Sequence, residues 1–312
     1  MAEKFRIDDI FNEKAKKWSL WFMVPFDFIS STNLRKISFA AFIVGVYTFV
    51  IDYLENYWLH VEFHPPSTIF YLLGLVLGLL LVFRTNTAYD RWWQGRIQIS
   101  YLSNNAKNFA SKMNAYLPKD DQDNRIFFAK MIANHAYAMK EVLRYGVRFD
   151  DLIETNKGEL DKLKKVYHVP SEITAQIMIK LEEMYRSKKL SFPQYWELHK
   201  YIDEMTNIVG NCERIRTTPM PYSYRLHLKK FIFVFALMMP FGFIEYLDEW
   251  SVVIVVIIFY AMSGLDVIGE EIEDPFGQDE DDLPIDYVCH SIEKYATVAL
   301  KVTLPSHHVG SH

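Results

Sequence analysis

The side chains best equipped for chemistry in this sequence are oxygen donors gathered in one short stretch. "GEEIEDPFGQDEDDLP", Gly269 to Pro284, carries Glu270, Glu271, Glu273, Asp274, Asp279, Glu280, Asp281 and Asp282 around a Pro-Phe-Gly turn. Hard cations such as Ca²⁺ take oxygen ligands, so this stretch is a candidate metal loop. Its spacing is not that of an EF-hand, and a solvated acidic loop is the plainer reading of the same letters. The other chemistry-bearing residues are dispersed. The 10 histidines are scattered, and the final "SHHVGSH" reads as a tail. His135 falls on an apolar helical face, where a core histidine is expected. No HExxH, P-loop, GxSxG or GxGxxG occurs. Cys212 and Cys289 are the 2 cysteines and have no metal or redox spacing, so both read as ordinary reduced thiols. No catalytic constellation is visible, and no enzyme is expected.

A second stretch raises a different kind of chemistry, the handling of water and ions by an apolar surface. "LLGLVLGLLLVFRTNTAYDRWWQG" runs from Leu72 to Gly95 and turns from wholly apolar to charged at Arg84 with no helix breaker there. Leu75, Leu79 and Phe83 lie four residues apart, on one slightly drifting helical stripe. Gly74 and Gly78 form a small-xxx-small pair that lets another backbone approach. The stripe has two readings that spacing leaves open. It can pack against lipid and other helices, as apolar residues in a membrane helix do. Repeated around the axis of a symmetric oligomer, it can instead form apolar rings that control hydration and gate by dewetting.

The elements that must position these residues follow from hydropathy. Of 312 residues, 50% are hydrophobic and 23% charged, a mixture that suits a membrane protein with a large water-facing part. A formal charge of -5 argues against nucleic acid as a partner. Four apolar runs stand out, at about residues 37–53, 68–83, 231–244 and 250–262. Arg35 and Lys36 precede the first run; Arg84, Arg91 and Arg96 follow the second; Arg225, Lys229 and Lys230 precede the third. The loops within each pair, "ENYWLHVEFH" and "EYLDEW", hold no Lys or Arg. By the positive-inside rule the termini and the middle of the chain face the cytoplasm. The first residues, "MAEKFRIDDIFNEKAKKW", are too polar for a signal peptide. Between the pairs, "RIFFAKMIANHAYAMKEVLRY" keeps Phe128, Met131, Ile132, His135, Ala138, Met139 and Val142 at helical spacing. Pro170–Ser171–Glu172 and Pro193 mark further helix starts, and "TTPMPYSY" should break the chain before the third run. No alternating strand is evident, so an all-α membrane protein is expected.

Three stretches, "FRTNTAYDRWWQGR", "GNCERIRTTPMPYSY" and "EEIEDPFGQDEDDLP", closely resemble the signature stretches of bestrophins, above all the bacterial homologues. They are long, lie in the expected order, and extend the resemblance over nearly the whole chain. The resemblance implies an all-α channel subunit with four transmembrane helices and a large helical cytoplasmic domain, assembled as a homopentamer around a central pore. It divides the chain into a cytoplasmic N-terminal segment (1–34), a first hairpin (35–96), a cytoplasmic helical region (97–225), a second hairpin (226–268) and an acidic loop with tail (269–312). It places an apolar pore neck on Leu75, Leu79 and Phe83, and Arg91, Trp92 and Trp93 where the second helix ties into the cytoplasmic helices. It sets a cytoplasmic exit near Pro193, where proline departs from the family's Ile or Val. Animal bestrophins bind Ca²⁺ in the acidic loop, and those ligand positions fall on Asp279, Asp282, Glu271 and the main chain of Asp274.

The implied function is passage of small monovalent ions across a bacterial inner membrane, with the lipid bilayer and further copies of the chain as partners. No cofactor is required, and Ca²⁺ is a candidate regulator. Apolar rings set no ion sign. Asp52, Glu55 and Glu62 near the outer mouth tilt the expectation toward cations over chloride. The competing reading is a membrane scaffold that does not conduct and whose cytoplasmic helices bind a partner.

Overall fold

A computed structural model describes residues 32–55, 66–144, 146–155, 158–247, 250–279 and 281–305. The described residues form helices and connecting turns, with no strand among them. In chain order the helices are α1 (Thr32–Tyr53), α2 (Ser67–Tyr116), α3 (Gln122–Arg144), α4 (Glu159–Leu163), α5 (Val169–Arg186), α6 (Phe192–Thr217), α7 (Tyr222–Leu247), α8 (Trp250–Glu273) and α9 (Ile285–Leu300). Four helices are long and apolar enough to cross a membrane. The anticipated apolar runs fall in α1, α2, α7 and α8, and the prolines of "TTPMPYSY" separate α6 from α7.

The chain divides into two compact units. One takes the described residues up to Asn86 together with Pro221–Glu270; the other takes Thr87–Met220 and the described residues from Glu271 on. The first unit is a bundle of α1, the start of α2, α7 and α8. Its core contains Ala41, Leu77, Leu81, Ile232, Phe235, Met239 and Val255. Without water to drive helices together, close backbone approach and van der Waals fit decide such packing. Glycines supply the approach. A Cβ on Gly45 would stand 2.9 Å from Val256 Cγ2, and one on Gly242 would stand 2.5 Å from the Phe70 ring. Tyr47 Oη donates to the carbonyl of Leu237 at 3.0 Å, pinning α1 to α7.

The second unit is built around α3, which is buried on every side. The anticipated apolar face is inside, with Val142 half-buried. Inside with it are Lys130, Lys140, Glu141 and Arg144. Burial of a charge is tolerable when it is paired, and each of these has a partner from another segment. Lys130 meets Glu159 at 2.8 Å, Lys140 meets Asp286 at 3.1 Å, Arg144 meets Asp286 at 2.6 Å, and Glu141 meets Arg148 at 2.9 Å. Arg125 at the start of α3 spreads its guanidinium over the carbonyls of Leu117, Pro118 and Leu300. It thereby caps the end of α2 and the end of α9 with one side chain.

Candidate functional site: an apolar face on the second helix

α2 begins in the membrane unit as an apolar helix with two unlike sides. Leu77 and Leu81 are 0% and 1% exposed, whereas Leu75, Leu79 and Phe83 are 71%, 54% and 56% exposed. At about 100° per residue, Leu72, Leu75, Val76, Leu79, Val82 and Phe83 span an arc of about 120°. Phe70, Leu77, Leu81 and Arg84 lie almost opposite, and all four are buried. Phe70 and the two leucines are held by the glycine contact at Gly242 and by the core of the bundle. Packing on one side therefore leaves Leu75, Leu79 and Phe83 together on the other, facing outward from this subunit.

Polar bonds secure the Phe83 end of that face. Tyr224 Oη donates to the carbonyl of Leu80 at 3.2 Å, and Thr85 Oγ1 donates back to the carbonyl of Leu81 at 3.1 Å. Arg84, the residue after Phe83, is wholly buried, and its Nε lies 2.8 Å from Asp266 Oδ1 in α8. Nothing in the letters of α2 pairs Arg84 with Asp266. The available signal was an aspartate near the end of the fourth apolar run, because an ionisable residue in such a segment demands a partner.

In the second unit, α2 carries the "RWW" residues. Arg91 donates to the carbonyls of Glu273, Thr218 and Ile215, and Trp92 Nε1 donates to the carbonyl of Asp281 at 3.0 Å. Both side chains thus tie α2 to neighbouring segments. Trp93 does not; it is 44% exposed and stacks on Tyr89, with the Arg96 guanidinium 5.8 Å from its ring.

The acidic loop is anchored rather than free. Phe276 and Leu283 are buried, and the Leu283 N–H donates to the Pro275 carbonyl at 3.0 Å. A Cβ on Gly95 would come within 3.1–3.2 Å of Pro275, Phe276 and Leu283, so α2 accepts the loop where it has no side chain. Asp282 Oδ2 accepts the Asp279 N–H at 2.6 Å and would be 2.5 Å from a Cβ on Gly277. Burial pushes the Asp282 carboxyl up to about 6. The nearby Asp279 and Asp274 carboxylates add to that, while the Asp279 N–H and Arg144 oppose it. Asp279 and Asp274 are exposed and Glu271 is half-buried. Among the described residues, no three His, Cys, Asp or Glu side chains gather closely enough to hold a metal ion. Asp279 and Asp282 are brought together; a full ligand set is not.

Pro193 is exposed in the first turn of α6, after Ser191, whose N–H donates to Gln194 Oε1 at 2.9 Å. Phe192 and Trp196 beside it are each 58% exposed and stack on one another. Asp52 and Glu55 sit half-buried at the end of α1, and Glu62 lies outside the described residues.

Comparison with known proteins gives this arrangement a family. Residues 10–298 match the family described as bacterial/fungal bestrophin protein. The chain is 32% identical over 302 residues to a voltage-dependent anion channel-forming protein of Nostoc sp., covering 93% of this chain and 95% of that one. It is 33% identical to a protein of the same description from Synechocystis sp., over 77% and 78% of the two chains. A bacterial bestrophin homologue from Klebsiella pneumoniae has the same fold, with a TM-score of 0.79 at 24% identity, over 85% of this chain and 98% of that one. A chain whose described residues are helical, with four membrane-length helices among them, and that matches the family over residues 10–298 belongs to the bestrophin family of ion channels and is not an enzyme.

Proposed function

We propose that the protein is a homopentameric channel in which Leu75, Leu79 and Phe83 of each subunit form three apolar rings around a central path for small monovalent ions. One observation carries this reading: the three side chains share an exposed face of α2 diametrically opposite the face that packs into the bundle. A subunit that fixes one side of a helix and leaves a regular apolar stripe on the other is suited to a symmetric assembly with that stripe at the axis. Such rings offer no ligand to an ion, so conduction depends on how readily the constriction wets. The pore lies in a bacterial inner membrane, with both termini on the cytoplasmic side, as the placement of Arg and Lys supports. Pro193, exposed beside Phe192 and Trp196, marks the cytoplasmic exit.

For the ion sign we propose a preference for anions. The relatives from Nostoc and Synechocystis are described as anion channel-forming. The expectation of cations rests on outer carboxylates, and Asp52 and Glu55 are only partly exposed. Ca²⁺ regulation stays a proposal resting on the proximity of Asp279 and Asp282; with no full ligand set among the described residues, no gating step is assigned to it. The test is recording from purified protein in planar bilayers under asymmetric NaCl. An anion channel gives a reversal potential toward the chloride equilibrium potential. A value toward sodium overturns the sign, and absence of current overturns the channel in favour of a non-conducting scaffold.

A further inference from the structure

The charge next to the proposed neck in sequence is hidden behind it. Arg84 directly follows Phe83 in α2, on the packed side of the helix, and is 0% exposed. Its Nε lies 2.8 Å from Asp266 Oδ1, and the Asp266 side chain is only 7% exposed. Gly269, three residues beyond Asp266, keeps the seat open: a Cβ there would stand 3.3 Å from Arg84 Nε. A second pair on α8, Glu270 with Lys229 of α7 at 2.8 Å, is 45% and 48% exposed.

These two pairs differ in what lies around them. Solvent and salt screen Lys229 and Glu270. Around Arg84 there is protein. Only the width of one helix, about 10 Å, separates its guanidinium from the face that carries Leu79 and Phe83. Across such a wall a charge acts at a low effective dielectric and is poorly screened. Leu75, Leu79 and Phe83 carry no charge that could outweigh it.

We infer that Arg84 and Asp266 are specificity-determining residues: their mutual neutralisation sets the balance between anions and cations in the neck, and removing either charge alone tips it. The inference rests on the neck reading and goes beyond it. Without the Asp266 charge, every subunit carries one more net positive charge behind the Phe83 ring, which favours chloride. Without the Arg84 charge, Asp266 presents a negative one, which favours sodium.

The test is the reversal potential in asymmetric NaCl for Asp266→Asn, Arg84→Met and the double variant Arg84→Met/Asp266→Leu. The two single variants are expected to shift the chloride-to-sodium permeability ratio in opposite directions. The shift should be at least about ten-fold, because one charge across about 10 Å at an effective dielectric near 20 gives that much and every subunit changes by one. The double variant should return to the wild-type ratio, and Glu270→Gln, at a carboxylate that also feels Arg84 but is 45% exposed and screened, should shift it less than Asp266→Asn does. A role in stability alone predicts otherwise, because both single variants would then lose current or shift together. Shifts in the same direction, or no shift, overturn the inference. Should a single variant fail to assemble alone, co-expression with wild-type subunits gives mixed channels. Their ratio should move with the variant fraction, and a constant ratio overturns the inference equally. Leu79→Ala separates the two claims. If its conductance is unchanged, the neck reading fails; if its conductance rises while the charge variants do not oppose one another, only the charge balance fails.

Discussion

Two leucines, two residues apart on α2, should respond to the same substitution in opposite ways. Leu81 is 1% exposed in the core of the membrane bundle, and Leu79 is 54% exposed on the outward face. In lipid the usual transfer term for Leu→Ala largely falls away, because acyl chains are as apolar as leucine. What remains at Leu81 is the cavity. At about 24 cal/mol per Å³, a residual void on the order of 80 Å³ costs about 2 kcal/mol. At Leu79 the removed atoms leave no enclosed void, so Leu79→Ala should cost about 0.5 kcal/mol or less, as for other surface substitutions. The effect on conduction should be reversed. With Leu79 in the proposed neck, Leu79→Ala should widen and wet an apolar ring and raise unit conductance, whereas Leu81→Ala should leave the conductance of surviving channels near wild type. Unfolding in mixed micelles followed by circular dichroism gives the first quantity, and planar-bilayer recording gives the second. Equal loss of stability at both positions, with unchanged conductance at Leu79, would show that Leu79 packs against a neighbour and would refute the reasoning.

Gly242→Val should destabilise the membrane unit by about 1–3 kcal/mol through overpacking, because even a Cβ would stand 2.5–2.7 Å from the Phe70 ring. Phe70→Leu should recover part of the loss in the same unfolding assay. In the second unit, burial, with His168 adding to it, lowers the His135 imidazole to about 4 from an ordinary 6.5. The unfolded chain therefore binds this proton first. The stability contributed by neutral His135 is complete above about pH 6.5 and is lost as pH falls toward 4. The loss is about 3 kcal/mol at 1.36 kcal/mol per pKa unit. His135→Leu should flatten that acid limb in a pH series of unfolding curves, and an unaltered limb would assign the acid sensitivity elsewhere. For the acidic loop, calorimetric titration of the intact protein with CaCl₂ should give a binding isotherm that Asp279→Ala with Asp282→Ala abolishes. A flat wild-type isotherm at millimolar Ca²⁺ removes Ca²⁺ from the proposed function.

Much of the architecture could be read from the letters because membrane helices announce themselves by length and hydropathy. The four apolar runs lie in α1, α2, α7 and α8, and the break at "TTPMPYSY" separates α6 from α7. The stripe of Leu75, Leu79 and Phe83 could be read as a shared face, but not as an outward one. That depends on which side the bundle occupies, and Phe70, Leu77, Leu81 and Arg84 settle it only in three dimensions. α3 shows the limit more sharply. Its charged residues look like a solvated face, yet Lys140 and Arg144 are buried because Asp286, remote in sequence, comes to meet them. The acidic loop misleads in the same way. Its carboxylates dominate the composition, while Phe276, buried against Gly95, decides where it sits. Trp92 and Trp93 are adjacent and identical in type, yet among the described residues Trp92 reaches the Asp281 carbonyl while Trp93 stacks on Tyr89, because successive helical residues point about 100° apart.

The Arg84–Asp266 pair also has a consequence for biosynthesis. α2 is made early in translation and α8 late, so a nascent α2 carries an arginine at the end of its apolar stretch before Asp266 exists. Until Asp266 arrives, the cheapest place for that guanidinium is among lipid headgroups, where long basic side chains snorkel. Burial of Arg84 must therefore follow synthesis of the last span. The closed bundle is a state that only a finished chain can reach, and a chain truncated before Asp266 should be recognisable to quality control by a charge that has nowhere dry to go.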